Sequence, residues 1–356
     1  MNSSLTLLRR LISTPSSSRS EDATADILFC ELARRGYSPQ RLHNNVWAIA
    51  PGFDSSKPTV LLNSHHDTVK PASGWTFDPF TPTLSPDGSR LYGLGSNDAG
   101  ASVVCLIDAF TKMSAESLSY NLVIALTAEE EVGGEHGIRA LLPHLEPIGI
   151  TPSMALVGEP TAMQPAIAER GLVVLDCVAH GVAGHAARGE GVNAIYVAMA
   201  DIDRLLHFRF PRQSSVLGPI GIAVTQINAG TQHNVVPAEC RFVVDVRTTD
   251  AYSNADTVAM LDHLLESDVK ARSTRVQASV ISAGHPLVLA ALRSGGQPFV
   301  SPTTSDMSLM HGLPSLKMGP GHSSRSHKAD EYICLSELSS GTRGYIDLLT
   351  HLNTLL

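Results

Sequence analysis

Cysteine is scarce in this chain, and what little there is stands apart. Cys30, Cys105, Cys177, Cys240 and Cys334 are widely spaced, with no C-x-x-C pair. An odd, dispersed set in 356 residues reads as reduced thiols of a cytoplasmic protein and excludes a disulfide framework. Positive charge is also in short supply. Lys and Arg number 26 against 34 acids, and the net charge of −8 provides no basic surface for nucleic acid. No apolar run approaches the ~20 residues of a membrane span. Arg9 and Arg10 interrupt the apolar stretch Leu5–Ile12, which therefore predicts an amphipathic helix and not a signal peptide. With 43% hydrophobic and 17% charged residues the chain is far from the disordered class. The expectation is a cytoplasmic globular protein, without membrane or nucleic-acid partner, long enough for two domains.

Hydrophobic periodicity then organises the chain. Leu5–Ile12 and Ala23–Arg35 carry helix-period apolar residues, the second after a capped start at Ser20-Glu21-Asp22. Thr59–Asn63, Asn121–Thr127 and Met154–Val157 are short apolar runs that read as buried strands. A helix is predicted from Asp98 to about Met113, just after a Gly-rich turn. This alternation predicts an α/β fold, with helices on both faces of a mainly parallel sheet. After about Ala168 the character changes. Strand-like runs at 171–179, 221–228, 240–247 and 275–282, with a helix over 193–208, predict a separate α+β module. Residues 168–282 are thus expected to form an inserted domain, and 1–167 with 283–356 the main one.

Five metal-type residues stand outside that insert: His65, Asp98, Glu131, Glu159 and His327. Two imidazoles and three carboxylates are a ligand set for a pair of zinc-like ions sharing a bridging carboxylate, which points to metal-assisted hydrolysis. Three of the five follow the C-terminal ends of predicted strands, where open α/β sheets place their sites. Asp67, two residues beyond His65, is placed to accept the other imidazole N–H, while His66 should face the opposite way. Asp98 suits either the bridge between two ions or a helix N-cap. Glu129-Glu130-Glu131 reads either as an exposed acidic turn or as a pair of working carboxylates. In the second reading one glutamate binds metal and its neighbour takes a proton from water.

These segments together resemble the M20-type metallopeptidases and deacylases, and within them the acetylornithine deacetylases. The likeness is carried by Ser64-His65-His66-Asp67-Thr68-Val69, Gly93 to Gly100, Thr127 to Gly134 and Val157-Gly158-Glu159-Pro160-Thr161. Gly184-His185, Asn193-Ala194, Asn234 to Pro237, Asp245 to Arg247 and Gly319 through His327 extend it across most of the chain. The resemblance implies a three-layer catalytic domain and an inserted lid that also mediates a homodimer. It implies one ion held by His65, Asp98 and Glu159, and a second by Asp98, Glu131 and His327. Zinc is the first choice, with cobalt or manganese suited to the same donors. It further implies Glu130 as general base, Asp67 as the partner of His65, and His185 as stabiliser of the oxyanion, reaching the partner subunit's site. Asn234, Arg247, Gly319 and Gly321 would bind the substrate, Arg247 through a carboxylate. Departures from the family pattern fall at Leu94, Ala99-Gly100, Glu129, Ala186 to Gly189, Ser326 and Ala329. None removes a metal ligand or the base, but they surround the pocket.

The implied reaction is hydrolysis of an N-acyl amino acid, N-acetylornithine first, as in arginine biosynthesis. N-succinylornithine, N-acetylcitrulline and N-succinyl-diaminopimelate are alternatives. A succinyl tail would need a further cation, for which Arg188 and Arg325 are candidates. An aminopeptidase or dipeptidase, and a metal-binding protein without turnover, are the remaining readings. The interval from Glu159 to His327, holding a whole module, argues against a single-domain aminopeptidase.

Overall fold

The computed structural model describes residues 3–356, which divide into two compact units. The first comprises residues 3–167, Ile281–Val300 and Ser305–Leu356; the second comprises Ala168–Val280 with Ser301–Thr304.

The first unit is built on a mixed sheet. Strands Asn121–Thr127, Thr59–His65, Met154–Val157 and Ser315–Lys317 lie side by side and parallel, with antiparallel strands flanking them. Alternation along the strands separates two cores, because successive side chains point to opposite faces. Val60, Leu62, Leu122, Ile124, Leu126, Leu156 and Leu316 pack with the helices Ser3–Ile12, Asp22–Arg34, Ala101–Met113, Pro286–Arg293 and Leu335–Asn353. Leu61, Val123, Ala125, Ala155 and Val157 pack on the other side with the helix Ile138–Leu145 and with Met307 and Met310. This is a three-layer α/β arrangement, and both sheet faces are dry. Runs buried on both faces, such as Thr59–His65 and Asn121–Thr127, explain why the strands read as unbroken hydrophobic segments.

The second unit is a four-stranded antiparallel sheet with two helices. Its strands run in the order Gly221–Ala229, Glu239–Thr248, Gly171–His180 and Asp268–Ala271. Two corrections arise here. The predicted strand at 275–282 is not the fourth strand of this sheet, which is Asp268–Ala271. Val276 instead spends its carbonyl on Leu172 N–H and on the Asn254 side chain, so little remains for a ladder. Only Ser279–Val280 is strand, paired with Ala168 and Glu169. The helix Asn254–Leu264 was not anticipated, although Ser253 caps it by accepting the Asp256 N–H, a recognisable Ser-x-x-Asp start.

The first unit holds a third departure. Helix Asp22–Arg34 begins without a side-chain cap. Glu21 is turned inward, accepting from Asn44 Nδ2 at 3.0 Å and from the Glu129 N–H at 3.3 Å. No described helix is long and apolar enough to cross a membrane. All five cysteines are unpaired.

Candidate metal and catalytic site

His65 is the last residue of its strand and is 1% exposed. Its Nδ1 lies 3.0 Å from the Asp67 carbonyl and 3.4 Å from Asp67 Oδ1, the backbone oxygen being the nearer partner. Nε2 therefore faces the acids: Asp98 Oδ1 at 3.2 Å, Glu159 Oε1 at 3.6 Å and Glu130 Oε2 at 3.9 Å. Burial works against a proton on this ring, but Glu130, Asp67 and Asp98 overcome it and hold its pKa well above the usual imidazole range. His66 points away, between Thr24 Oγ1 and the Asn44 carbonyl, each at 2.9 Å. Burial there lowers its pKa to about 4.

The Asp67 carboxylate, fully buried, does more than serve His65. It accepts from Ser18 Oγ at 2.7 Å and from the N–H groups of Glu130 and Glu131 at 3.1 and 3.2 Å. One residue thus fixes the imidazole, chiefly through its carbonyl, and the turn Glu130–Val132 through its carboxylate. The preceding residue, Glu129, has left-handed backbone (φ 56°) and is buried, its Oε2 accepting from His136 N–H. Its length is accommodated because Gly134 has no side chain; a Cβ there would fall 1.8 Å from Glu129 Oε2.

Asp98 is not a helix cap. It lies in the irregular turn Ser96–Gly100 with non-helical backbone and makes no capping bond. Its main chain is held by a residue that sequence reasoning missed. Glu331 is buried, and its Oε1 accepts from the N–H groups of Asn97 and Asp98 at 2.8 and 2.9 Å. Burial, with Asp98 nearby, raises its pKa to about 8. The signal was a second acid four residues after His327, in Asp330-Glu331. Asp306 was missed as well. Fully buried, it accepts from Thr127 Oγ1 at 2.8 Å, and burial lifts its pKa to about 6.

Glu159 follows the strand Met154–Val157 after Gly158, whose N–H bonds to the Asn63 carbonyl at 2.7 Å. His327 comes from a loop in left-handed conformation (φ 60°), with its side chain 53% exposed. Its Nε2 lies 2.9 Å from Glu131 Oε2 and 3.6 Å from Asp98 Oδ2, and the Glu131 contact raises its pKa to about 9. Ligand atoms of His65, Asp98 and Glu131 fall within 4.8 Å of one another, as do those of His65, Glu130 and Glu159. Burial and neighbouring carboxylates push Glu130 well above the usual carboxyl range and Glu159 to about 8. Such crowding of acids is what a bound cation relieves.

The remaining predicted residues have other surroundings. His185 is exposed on the second unit, its Nδ1 accepting from Ala187 N–H. Asn234 is exposed in a turn of that unit. Arg247, also there, forks onto Asp245 with bonds of 2.8 and 3.1 Å. Gly319 is a correction: its N–H is already donated to Thr161 Oγ1 at 3.0 Å. Arg325 is another. It is forked onto Glu337 at 2.6 and 3.0 Å and stacked 4.4 Å above the Tyr332 ring, so it is not free to take an acyl tail.

Imidazoles and carboxylates converging at the ends of parallel strands, in a three-layer α/β unit, define a metal-dependent hydrolase. The chain belongs to the peptidase family M20/M25/M40, whose model matches residues 61–351. It is similar to the succinyl-diaminopimelate desuccinylase of Erythrobacter litoralis, at 27% identity over 97% of each chain. It is also similar to the acetylornithine deacetylase of Proteus mirabilis, at 29% identity over 92% of this chain and 91% of the relative. Among solved structures, aminopeptidase PepT from Bacillus cereus matches with a TM-score of 0.78, 17% identity and 98% of each chain. An M20 metallo-carboxypeptidase from Sulfolobus solfataricus matches over the whole of both chains with a TM-score of 0.76 and 16% identity. The protein is accordingly an M20 amidohydrolase.

Proposed function

We propose that the chain cleaves the amide bond joining an acyl group to an amino acid, with N-acetylornithine as first substrate and a role in arginine biosynthesis. The observation that carries this reading is Glu130, a largely buried carboxyl 3.9 Å from His65 that burial and neighbouring acids make unusually ready to hold a proton. That is what a general base needs near neutral pH.

The donor set fits two divalent cations, because carboxylates and imidazoles that suit such ions face one another at short range. We assign His65, Asp98 and Glu159 to one ion, and Asp98, Glu131 and His327 to the other, zinc first and cobalt or manganese served by the same donors. Bound there, the ions would supply the Lewis acidity that polarises the acyl carbonyl and acidifies a water. Glu130 takes the proton of the attacking water and later passes it to the departing amine. Asp67 keeps His65 turned and the Glu130 turn in place. His185 stabilises the oxyanion, Asn234 binds substrate, and Arg247 exchanges Asp245 for the substrate carboxylate. Gly321 offers its N–H to the same carboxylate. The second unit supplies a homodimer face: Tyr196, Met199 and Leu206 are 69%, 57% and 64% exposed on one helix, beside an edge strand, Gly221–Ala229, that is mostly exposed. Unpaired thiols support a cytoplasmic location.

Acetyl is put first because one of the two candidate cations for a succinyl tail, Arg325, is committed to Glu337 and Tyr332. The other, Arg188, is exposed and 3.9 Å from Glu190, and it is the cation a succinyl substrate would have to use. The second reading, desuccinylation of N-succinyl-diaminopimelate or N-succinylornithine, is favoured by the likeness to the Erythrobacter litoralis enzyme. A panel of N-acetyl and N-succinyl ornithine, citrulline and diaminopimelate, assayed for amine release by the metal-loaded enzyme, tests both. N-acetylornithine should have the highest kcat/KM. A succinyl substrate turned over tenfold better would sink the acetyl reading.

A further inference from the structure

We infer that the first unit carries a second small-molecule site, a cleft that takes a free α-amino acid and acts on the hydrolytic centre from outside it. The cleft encloses about 430 Å³, a volume ordinary for ligand pockets. Neither the five proposed ligands nor Glu130 lines it; of the residues assigned to the hydrolytic centre only Gly321 borders it, its carbonyl bonded to the Ala162 N–H of the facing wall. Its walls are the turn Ala162–Gln164, the loop Pro320–His322 and one face of helix Leu335–Asn353.

The shape is set by the chain and not by loose side chains. Ala162 and Met163 are consecutive non-glycine residues in left-handed backbone, at φ 54° and 59°, a conformation such residues adopt only when held. Here they are held: the Ala162 N–H donates to the Gly321 carbonyl at 2.6 Å and the Met163 N–H to the Gly319 carbonyl at 2.8 Å. On the opposite wall Gly344 lets the helix come close, since a Cβ there would lie 2.7 Å from Met163 Cε.

The charges on that wall choose the ligand. Arg343 and Asp347 stand one helical turn apart, a spacing at which opposite charges ordinarily pair. Both border the cleft, both are exposed, and neither forms an ion pair with the other or with any described residue. A guanidinium fork matches a carboxylate, and the aspartate one turn on matches an ammonium. An α-amino acid zwitterion carries those two groups together. Ser294 and Ser340 add hydroxyls for its polar side chain.

The cleft also touches the loops that carry the centre. His322 N–H donates to Asn97 Oδ1 at 3.0 Å, and Asn97 Nδ2 returns a bond to the His322 carbonyl at 3.1 Å. Asn97 immediately precedes Asp98. On the other wall, Thr161 is two residues beyond Glu159 and its hydroxyl accepts the Gly319 N–H. An occupant pressing on Pro320–His322 therefore bears on the backbone of two of the acids, which makes the site an effector site. Because the proposed hydrolysis releases an amino acid, this cleft would sense the chemical class of its product. Binding itself does not depend on which acyl amino acid is cleaved.

Calorimetric titration of the metal-loaded enzyme with L-arginine and with L-glutamate, as a basic and an acidic probe, tests this. At least one probe should bind the native chain. Arg343→Ala, and Ser340→Trp to fill the cleft from an exposed helix position, should each weaken binding at least about tenfold, equivalent to about 1.4 kcal/mol. Basal turnover without probe should stay unchanged in Arg343→Ala. Three results would overturn the inference: no heat from either probe at about 10 mM, binding that both variants retain, or loss of basal turnover in Arg343→Ala at unchanged thermal stability. Retained binding would mark the amino acid as a product held in the hydrolytic centre, and lost turnover would put the cleft on the substrate path.

Discussion

The two imidazoles of the cluster come from unlike regions. His65 ends a strand buried on both faces and is anchored through Asp67, whereas His327 projects from a loop and is half exposed. The strand side is set by the same hydrophobic alternation that builds the sheet. The loop side depends on two contacts, Glu131 at 2.9 Å and Asp98 at 3.6 Å, and on the Glu331 carboxylate behind Asp98. One half of the site is thus folded with the core, and the other is closed onto it by polar groups. The lesson is that loss of either imidazole should remove a cation but only one should disturb the fold.

The largest expected effect falls between the two regions, on Glu130. Glu130→Gln keeps the shape and removes the base, so turnover should fall by about 10²–10⁴-fold while the metal content is unchanged. Metal analysis with steady-state rates checks this, and a variant within tenfold of native activity would remove Glu130 from its role. Next, His327→Ala should bind about one ion fewer per chain with little change in melting temperature. His65→Ala should lose metal too, and it should lower stability by about 1–3 kcal/mol, since it leaves Asp67 and its buried turn short of a partner. Equal melting temperatures for the two variants would erase the contrast between strand and loop.

Acid sharpens the comparison from the other face of the same strand end. His66 in the fold has its pKa lowered to about 4, against 6.5 for a free imidazole. Between those values the unfolded chain binds more protons, so this residue's share of stability is intact above pH 6.5 and is lost as pH falls toward 4. The full difference is worth at most about 3 kcal/mol. Urea midpoints at pH 7.5 and 4.5 should therefore fall more steeply for the native chain than for His66→Asn. Parallel slopes would show that His66 does not titrate as its burial demands. The smallest effect is expected at Arg325. Arg325→Lys loses the fork onto Glu337 and the stacking on Tyr332 beside the His327 loop, a change of about 1 kcal/mol. It should alter N-acetylornithine turnover less than threefold, and a selective loss of succinyl substrates would contradict the commitment of Arg325 to structure.

Much of this was legible in the chain because it rests on local pattern. The buried strands announced themselves as unbroken apolar runs, and their ends located His65, Glu131 and Glu159. The opposite orientation of His65 and His66 follows from strand alternation alone. What stayed hidden depends on distant pairing. Glu331 comes close to Asp98 only across a sequence separation of 233, and Asp306 reaches Thr127 across one of 179. The sequence around Asp306 does not distinguish it from a surface residue, and the only mark on Glu331 is its place four residues after His327. The strand expected at 275–282 failed for the same reason: its backbone groups were claimed by Asn254 and Leu172, which no local propensity reports. Gly319 shows the limit of motif transfer, since a hydroxyl from the Glu159 loop already occupies the N–H that a substrate was expected to use.

The fit of Glu129 into the space above Gly134 has a consequence for how this turn can vary. The backbone at Gly134 is not left-handed, so what excludes a side chain there is the Glu129 side chain, from its Cβ at 2.5 Å outward to its carboxylate. The two positions behave as one substitutional unit. Alanine at 134 is accommodated only when residue 129 has lost its side chain altogether, and shortening Glu129 to aspartate leaves the Cβ clash in place. Drift at either residue is therefore channelled through the other, and the spacing of the glutamates beside the metals is protected by a size rule that involves neither of them.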